Sequence, residues 1–248
     1  MSTDYNKLSE VYDELLYDVP GAEWAEYLIK LLPGPGPLSL LEYACGSGRL
    51  TQEFLRRGHT VIGVDRAEGM LAQAADKLRP LGRPYQLACC DMTEFRLVRP
   101  VDAAVCGLDA VNYLTTPEEL KRFLDAAAAN LRDGGVLLFD ISTVYRLQHV
   151  LGNEFYYDDG ENQTLFWQNH YDEQTALLEM TLTVFSREDG ETYHRFDEVH
   201  LIRGWSEEEI RRALGTAGFT GVEAFAFGTE HPPQADCERI EFRAVKRS

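Results

Sequence analysis

The sequence predicts an α/β protein built on a doubly wound, mostly parallel sheet of seven strands, interrupted after the fifth by an antiparallel β insertion. Three observations carry this reading. From Leu38 onward, short apolar runs alternate with segments whose apolar residues recur every three or four positions, the rhythm of a parallel sheet covered by helices. The run Val136–Asp140 is apolar up to its last residue, as in a strand buried on both faces. From about Asn153 to Arg203 the text turns to Tyr, Phe, Trp and Thr with strand-like alternation, and then the α/β pattern resumes.

The first 37 residues mix aromatics with acids, include a helix-like run Gly21–Leu32, and end in the stiff breaker Pro33–Pro37. A strand Leu38–Tyr43 leads into a helix from about Ser47 to Arg57, stopped by Gly58, and then a strand Thr60–Asp65. The next helix places Met70, Leu71, Ala74 and Leu78 on one face. Strands follow near Tyr85–Ala88 and Asp102–Gly107. Thr116-Pro117 with Glu119 forms a capping box that opens a helix carrying Leu120, Phe123, Leu124, Ala127, Ala128 and Leu131 as its core stripe. Asp133-Gly134-Gly135 turns the chain into the fifth strand. In the insertion Leu178, Met180, Leu182 and Val184 alternate with their neighbours, and turns at Asp172-Glu173-Gln174 and Asp189-Gly190 define three or four hairpin strands. Ser206 with Glu209 caps a last helix ending near Gly218, before strands Val222–Phe227 and Arg239–Val245. The expected organisation is a cover over 1–37, a core over 38–152 and 204–248, and an insertion over 153–203.

Composition narrows the function. A chain of 248 residues with 44% hydrophobic and 26% charged side chains has the proportions of a globular protein with one sizeable core. Lys and Arg total 24 against 41 Asp and Glu, a net charge of −17 spread along the chain. Such a field repels nucleic-acid backbones and anionic lipids, so neither is expected as a partner. No apolar run nears the roughly 20 residues that span a bilayer, and the start lacks a signal peptide's apolar stretch, so a cytoplasmic protein is expected. The five cysteines Cys45, Cys89, Cys90, Cys106 and Cys237 show no C-x-x-C spacing and read as buried free thiols. The six histidines form no H-E-x-x-H, and no metal is implied.

The segment Leu40–Leu50, L-L-E-Y-A-C-G-S-G-R-L, stands where the first strand meets the first helix. Gly46 and Gly48 allow a sharp turn and a close approach of backbone to ligand. A dinucleotide fingerprint would place a small residue at position 51, where Thr51 stands. Asp65 ends the second strand, where a carboxylate can accept both hydroxyls of a ribose; Asp91 follows the third, placed for an adenine amine, with Met92 for the ring. Either acid alone is an ordinary turn or capping aspartate. In this order, after successive strands and behind the glycine loop, they describe a nucleoside pocket.

These residues resemble the class I S-adenosylmethionine-dependent methyltransferases over Leu38–Asp140 and Ser206–Val245. The resemblance implies that Glu42, Ala44, Cys45, Gly46 and Gly48 wrap the amino-acid part of S-adenosylmethionine, that Asp65 binds the ribose with Arg66 and Met70 beside it, and that Asp91 and Met92 meet the adenine. It places Gly107 and Leu108, in the loop Cys106–Tyr113, along the sulfonium. The N-terminal stretch Y-D-E-L-L-Y-D-V-P and the insertion's R-F-D-E-V-H are similar to a branch of small bacterial methyltransferases with mostly unassigned substrates. No N-P-P-Y or D-P-P-Y follows the fourth strand, which weakens a nucleic-acid base as acceptor.

The acceptor is expected to be a small molecule at the carboxyl ends of the strands, roofed by Tyr12, Tyr17 and Trp24 and by the insertion, with Tyr17 and Trp24 also reaching the cofactor. His194, Glu198 and His200 share one strand face. If that face looks inward, His200 or His194 is the candidate base; otherwise it is the solvated face of an edge strand. Competing readings are an NAD(P)-dependent reductase, which would want Gly or Ala at 51 and leaves Asp91-Met92 unexplained, and a non-catalytic S-adenosylmethionine-binding protein.

Overall fold

The computed structural model describes residues 5, 7–15, 21–190 and 192–247. Five strands, β1 (Ser39–Tyr43), β2 (Thr60–Asp65), β3 (Tyr85–Cys89), β4 (Val101–Cys106) and β5 (Leu131–Ser142), run parallel. A separate antiparallel sheet follows, made of β6 (Phe155–Asp159), β7 (Gln163–Asp172), β8 (Leu177–Asp189) and β9 (Thr192–Arg203) in simple meander order. β10 (Phe219–Ala226) and β11 (Arg239–Lys246) complete the first sheet, whose order is β10-β11-β5-β4-β1-β2-β3 with β11 antiparallel to both neighbours. The order reverses between β1 and β4, and a crevice opens there at the carboxyl ends of the strands.

The helices are α1 (Tyr12–Leu15), α2 (Gly21–Leu31), α3 (Arg49–Arg56), α4 (Glu68–Leu78), α5 (Pro117–Asn130) and α6 (Glu207–Thr216). Alternation along each strand splits the core into two layers. Leu41 and Tyr43 of β1 face α5 and α6, packing with Phe123, Ile210 and Leu214. Leu40 faces the other way, with Trp24 and Leu28 of α2 and Leu50 and Phe54 of α3. Both capping boxes form: Thr116 and Ser206 accept from the backbones of Glu119 and Glu209, whose carboxylates return to the cap nitrogens. Each such cap is worth on the order of 1 kcal/mol.

The structure departs from the sequence reading at the start of β5 and at three of the cysteines, and it resolves the insertion into the larger of the two expected strand counts. β5 starts at Leu131, not Val136, because Val101 already pairs with Leu131; Asp133-Gly134-Gly135 is an irregularity within the strand, with Gly134 at φ 74°. Residues 153–203 form four strands. Cys45 and Cys106 are buried thiols, but Cys89 is exposed and Cys90 half-buried, since β3 is an edge strand, and Cys237, in the loop before β11, is half-buried. No helix among the described residues is long and apolar enough to cross a membrane.

The four-stranded sheet sits against the loop that leaves the carboxyl end of β4. Asn112 of that loop donates to the carbonyls of Ser142 and Arg203, and so ties the exits of β5 and β9 together. Leu8 and Val11 pack on Val184 and Phe196, joining the N-terminal segment to the same sheet.

Candidate active site

One deep cavity lies at the β1/β4 switch point, and it gathers most of the expected cofactor residues. Trp24, Glu42, Ala44, Cys45, Gly46 and Asp65 line it, as do Arg66, Met70, Asp91, Met92, Gly107 and Leu108. Tyr17 lies outside the described residues. Gly48 is the exception: it caps α3 at φ 76°, and a Cβ there would stand 3.0 Å from that of Ala74. Its place is the contact between α3 and α4, and it lines no part of the cavity. Gly46, at φ 52°, has open space where its Cβ would be, so backbone there meets a ligand directly.

Three backbone conformations at this rim cost local strain. Ala44, Leu108 and Asp109 have φ of 50°, 56° and 48°, left-handed values that side chains other than glycine rarely adopt. The surroundings hold them. The Asp109 N–H donates to buried Asp140 at 2.9 Å, and the Ser142 hydroxyl donates to Asp109 at 2.7 Å. Arg239 reaches Asp140 at 3.4 Å and Asp109 at 3.5 Å, and its guanidinium lies over the Phe227 ring.

The acids are set for distinct contacts. Asp65 accepts the Gly46 N–H at 2.8 Å and the Ala67 N–H at 2.9 Å, one on each oxygen, so it shapes the glycine loop while facing the cavity. Burial nevertheless holds its carboxyl above the usual range. Asp91 uses Oδ1 for both the Thr93 N–H and hydroxyl, at 2.8 and 2.7 Å, which leaves Oδ2 for a ligand. Glu42 is 3% exposed and accepts the hydroxyl of Thr51. Burial pushes its carboxyl up to about 8, against which the Thr51 bond works only in part. Thr51 is therefore the partner of Glu42, which explains why position 51 is not the small residue of a dinucleotide fold.

On the other side the cavity is walled by phenols. Tyr5, Tyr12 and Tyr113 line it, with Leu114 beyond. Burial raises all three phenols, and the carboxylate of Asp109 raises them further, so each is a neutral hydroxyl near pH 7. Tyr5 and Tyr113 share a short hydroxyl–hydroxyl contact. Sequence reasoning missed Tyr5, because nothing local ties residue 5 to residue 113. It also missed Asp13, which accepts from Ser47 at 2.6 Å and pairs with Lys77, fastening the N-terminal cover to the glycine loop and α4.

The two histidine candidates part company. His194 is exposed at the far end of β9, opposite Ser186, six residues and so roughly 20 Å along the strand from His200. It takes no part in this site. His200 is 1% exposed and lies behind Tyr113, its Nδ1 3.2 Å from the phenol oxygen. The His200 end of the face looks inward, and His200 stands behind Tyr113 and the Tyr5 ring without lining the cavity itself. Among the described residues no group of three or more His, Cys, Asp or Glu is arranged to hold a metal.

A switch-point cavity with a glycine loop, a ribose-type acid and an adenine-type acid fits S-adenosylmethionine, and buried, uncompensated Glu42 fits the cofactor's ammonium. The chain belongs to the class I S-adenosylmethionine-dependent methyltransferases. Residues 40–135 match the methyltransferase domain family. The chain is 31% identical to the putative methyltransferase YqeM of Bacillus subtilis over 98% of its own length and 97% of that protein's. An S-adenosylmethionine-dependent methyltransferase from Clostridium acetobutylicum superposes with a TM-score of 0.86 at 31% identity, covering 98% of this chain and 99% of that one. A Streptomyces venezuelae enzyme, dTDP-3-amino-3,4,6-trideoxy-alpha-D-glucopyranose N,N-dimethyltransferase, is 27% identical over 74% of this chain and 76% of its own.

Proposed function

We propose that the methyl acceptor is a small-molecule amine. One observation carries this: the cavity that Gly107 and Leu108 line is also lined by three neutral phenols, Tyr5, Tyr12 and Tyr113. Aromatic faces favour a cation, and phenol oxygens accept its N–H bonds. The dTDP-amino-sugar specificity in the name of the Streptomyces relative supports the same class. The net charge of −17 argues against a polyanionic acceptor.

In this reading Asp65 holds the ribose, Asp91 and Met92 the adenine, and Glu42 with the loop Ala44–Gly46 the amino-acid part. Bound S-adenosylmethionine supplies an electrophilic methyl group on a sulfonium. The protein's own work is to place the acceptor lone pair in line with it and to exclude water. The N-terminal segment and the insertion serve the acceptor side, since both pack around Tyr5 and Tyr113.

The test is transfer of labelled methyl from S-adenosylmethionine to matched panels of amines and alcohols, including 3-amino sugars and their hydroxyl parents. Label is expected in amines. Transfer confined to alcohols, thiols or RNA would overturn the proposal. Calorimetry should show S-adenosylhomocysteine binding in the micromolar range, on the order of −8 kcal/mol, and NAD far weaker.

A further inference from the structure

A chain of polar side chains leads away from the acceptor wall into the insertion. Tyr5 meets Tyr113 hydroxyl to hydroxyl, and the Tyr113 oxygen stands 3.2 Å from His200 Nδ1. On the far side of the ring, Nε2 stands 3.2 Å from Glu198 Oε2, within ion-pair distance though off the line of a hydrogen bond. The other Glu198 oxygen accepts the Leu8 N–H at 3.0 Å. His200 is 1% exposed, so an imidazole has been sealed in with one phenol, one carboxylate and the Tyr5 ring, whose centroid is 4.8 Å away. Its neighbour across the sheet, Met180, carries no charge. A packing residue would do this work without a desolvation cost.

We infer that Tyr113, His200 and Glu198 form a relay that removes a proton from the acceptor before methyl transfer. This rests on the amine reading above. An ammonium has no lone pair. In the relay its nitrogen gives one proton to the Tyr113 oxygen as Tyr113 passes its own hydroxyl proton to His200 Nδ1. One N–H bond of the ammonium breaks, the phenol O–H is remade, and an Nδ1–H bond forms. The positive charge moves from the acceptor to the imidazole, where Glu198 balances it, and the neutral amine keeps the electron pair that will bond the methyl carbon. After the product leaves, the proton returns through Tyr113 to water in the open cavity. Tyr113 touches the acceptor; His200 and Glu198 are positioning residues acting through it. The relay requires the tautomer with its hydrogen on Nε2, the side of Glu198, so that Nδ1 can accept from Tyr113.

Nitrogen-15 spectra of the histidine side chains in the S-adenosylhomocysteine complex read this directly. We expect neutral His200 as the Nε2–H tautomer, an Nδ1 resonance that moves in Tyr113→Phe, and a mixture of tautomers in Glu198→Gln. An Nδ1–H tautomer in the wild type, or an Nδ1 resonance indifferent to Tyr113→Phe, overturns the relay even if amines prove to be acceptors. With an amine from the panel, Tyr113→Phe and His200→Gln should lower kcat about 100-fold near pH 7, with S-adenosylhomocysteine affinity and melting temperature close to wild type. Raising the pH through the amine's own titration should restore most of the loss, because solution then deprotonates the acceptor. A merely structural defect would not be rescued, and a loss constant across pH refutes the role.

Discussion

Replacing Glu42 by Gln should make the empty protein more stable and the cofactor complex weaker. Burial lifts the folded carboxyl from an ordinary 4.5 to about 8, so at pH 7 folding must take up a proton that the unfolded chain has already lost. At about 1.4 kcal/mol per pH unit, the interval from 4.5 to 7 costs roughly 3 kcal/mol. The sign is that of a raised group: the stability is complete below the unfolded value and fades as pH rises through 8. Gln carries no charge to neutralise, its carbonyl still accepts the Thr51 hydroxyl, and its amide faces the cavity. Denaturant melts without ligand should therefore show Glu42→Gln ahead by about 1–3 kcal/mol at pH 7.5 and level with wild type near pH 4.5. Calorimetry should show S-adenosylhomocysteine bound at least tenfold more weakly, about 1.4 kcal/mol, because the carboxylate that answers its ammonium is gone. Equal stability of the two proteins at pH 8 would mean that Glu42 ionises in the empty protein at no cost, and the argument would fall.

Asp65→Asn should weaken S-adenosylhomocysteine binding by about 1–3 kcal/mol and also lower the melting temperature, since one of the Gly46 and Ala67 N–H groups then faces an amide; a binding loss with no thermal cost would show that the loop does not depend on it. Gly48→Ala should destabilise by about 1–3 kcal/mol with affinity unchanged in the folded fraction, because φ 76° and the Ala74 Cβ at 3.0 Å both oppose a side chain. Glu241 lies opposite Asp140 in the β5–β11 pair, with both its oxygens buried and unbonded. Burial, with Asp140 adding to it, raises its carboxyl, so wild-type stability should decline with rising pH. Glu241→Gln should flatten that decline in thermal melts between pH 5 and 9, and a profile parallel to wild type would count against a protonated Glu241.

The half of the cavity proposed to hold the cofactor was legible because it is local. Gly46, Asp65 and Asp91 each follow the end of a strand, and the strand order is written in the hydrophobic rhythm, so three short words and a topology rule bring them together. The other half is assembled across the chain: Tyr5 meets Tyr113, Tyr113 meets His200, and Leu8 meets Glu198, at separations of 108, 87 and 190 residues. A period of two places His200 and Glu198 on one face but says nothing about what the face covers, which is why His194 looked equivalent. Leu108 and Asp109 carry no glycine to announce a left-handed turn; Asp140 and Ser142, a strand away, impose it. Gly48 was misread for the opposite reason, as one glycine word can serve ligand approach or helix packing.

The insertion enters and leaves the core at nearly the same point. Thr143 and Trp205 form a backbone bridge across its two ends, so the four-stranded sheet hangs from a closed neck. β5 pairs with β11 directly, with no strand of that sheet between them. The fold is thus modular in a strict mechanical sense: one cassette, 144–204, backs Tyr113 through His200 and could be exchanged between related chains. Its docking includes three polar cross-links, Asn112 to Arg203, Tyr113 to His200 and Leu8 to Glu198, beside the packing of Leu8 and Val11 on Val184 and Phe196. A graft that preserves those three partners would keep Tyr113 backed and leave the cavity lining as it was, since no described residue of 144–204 lines the cavity.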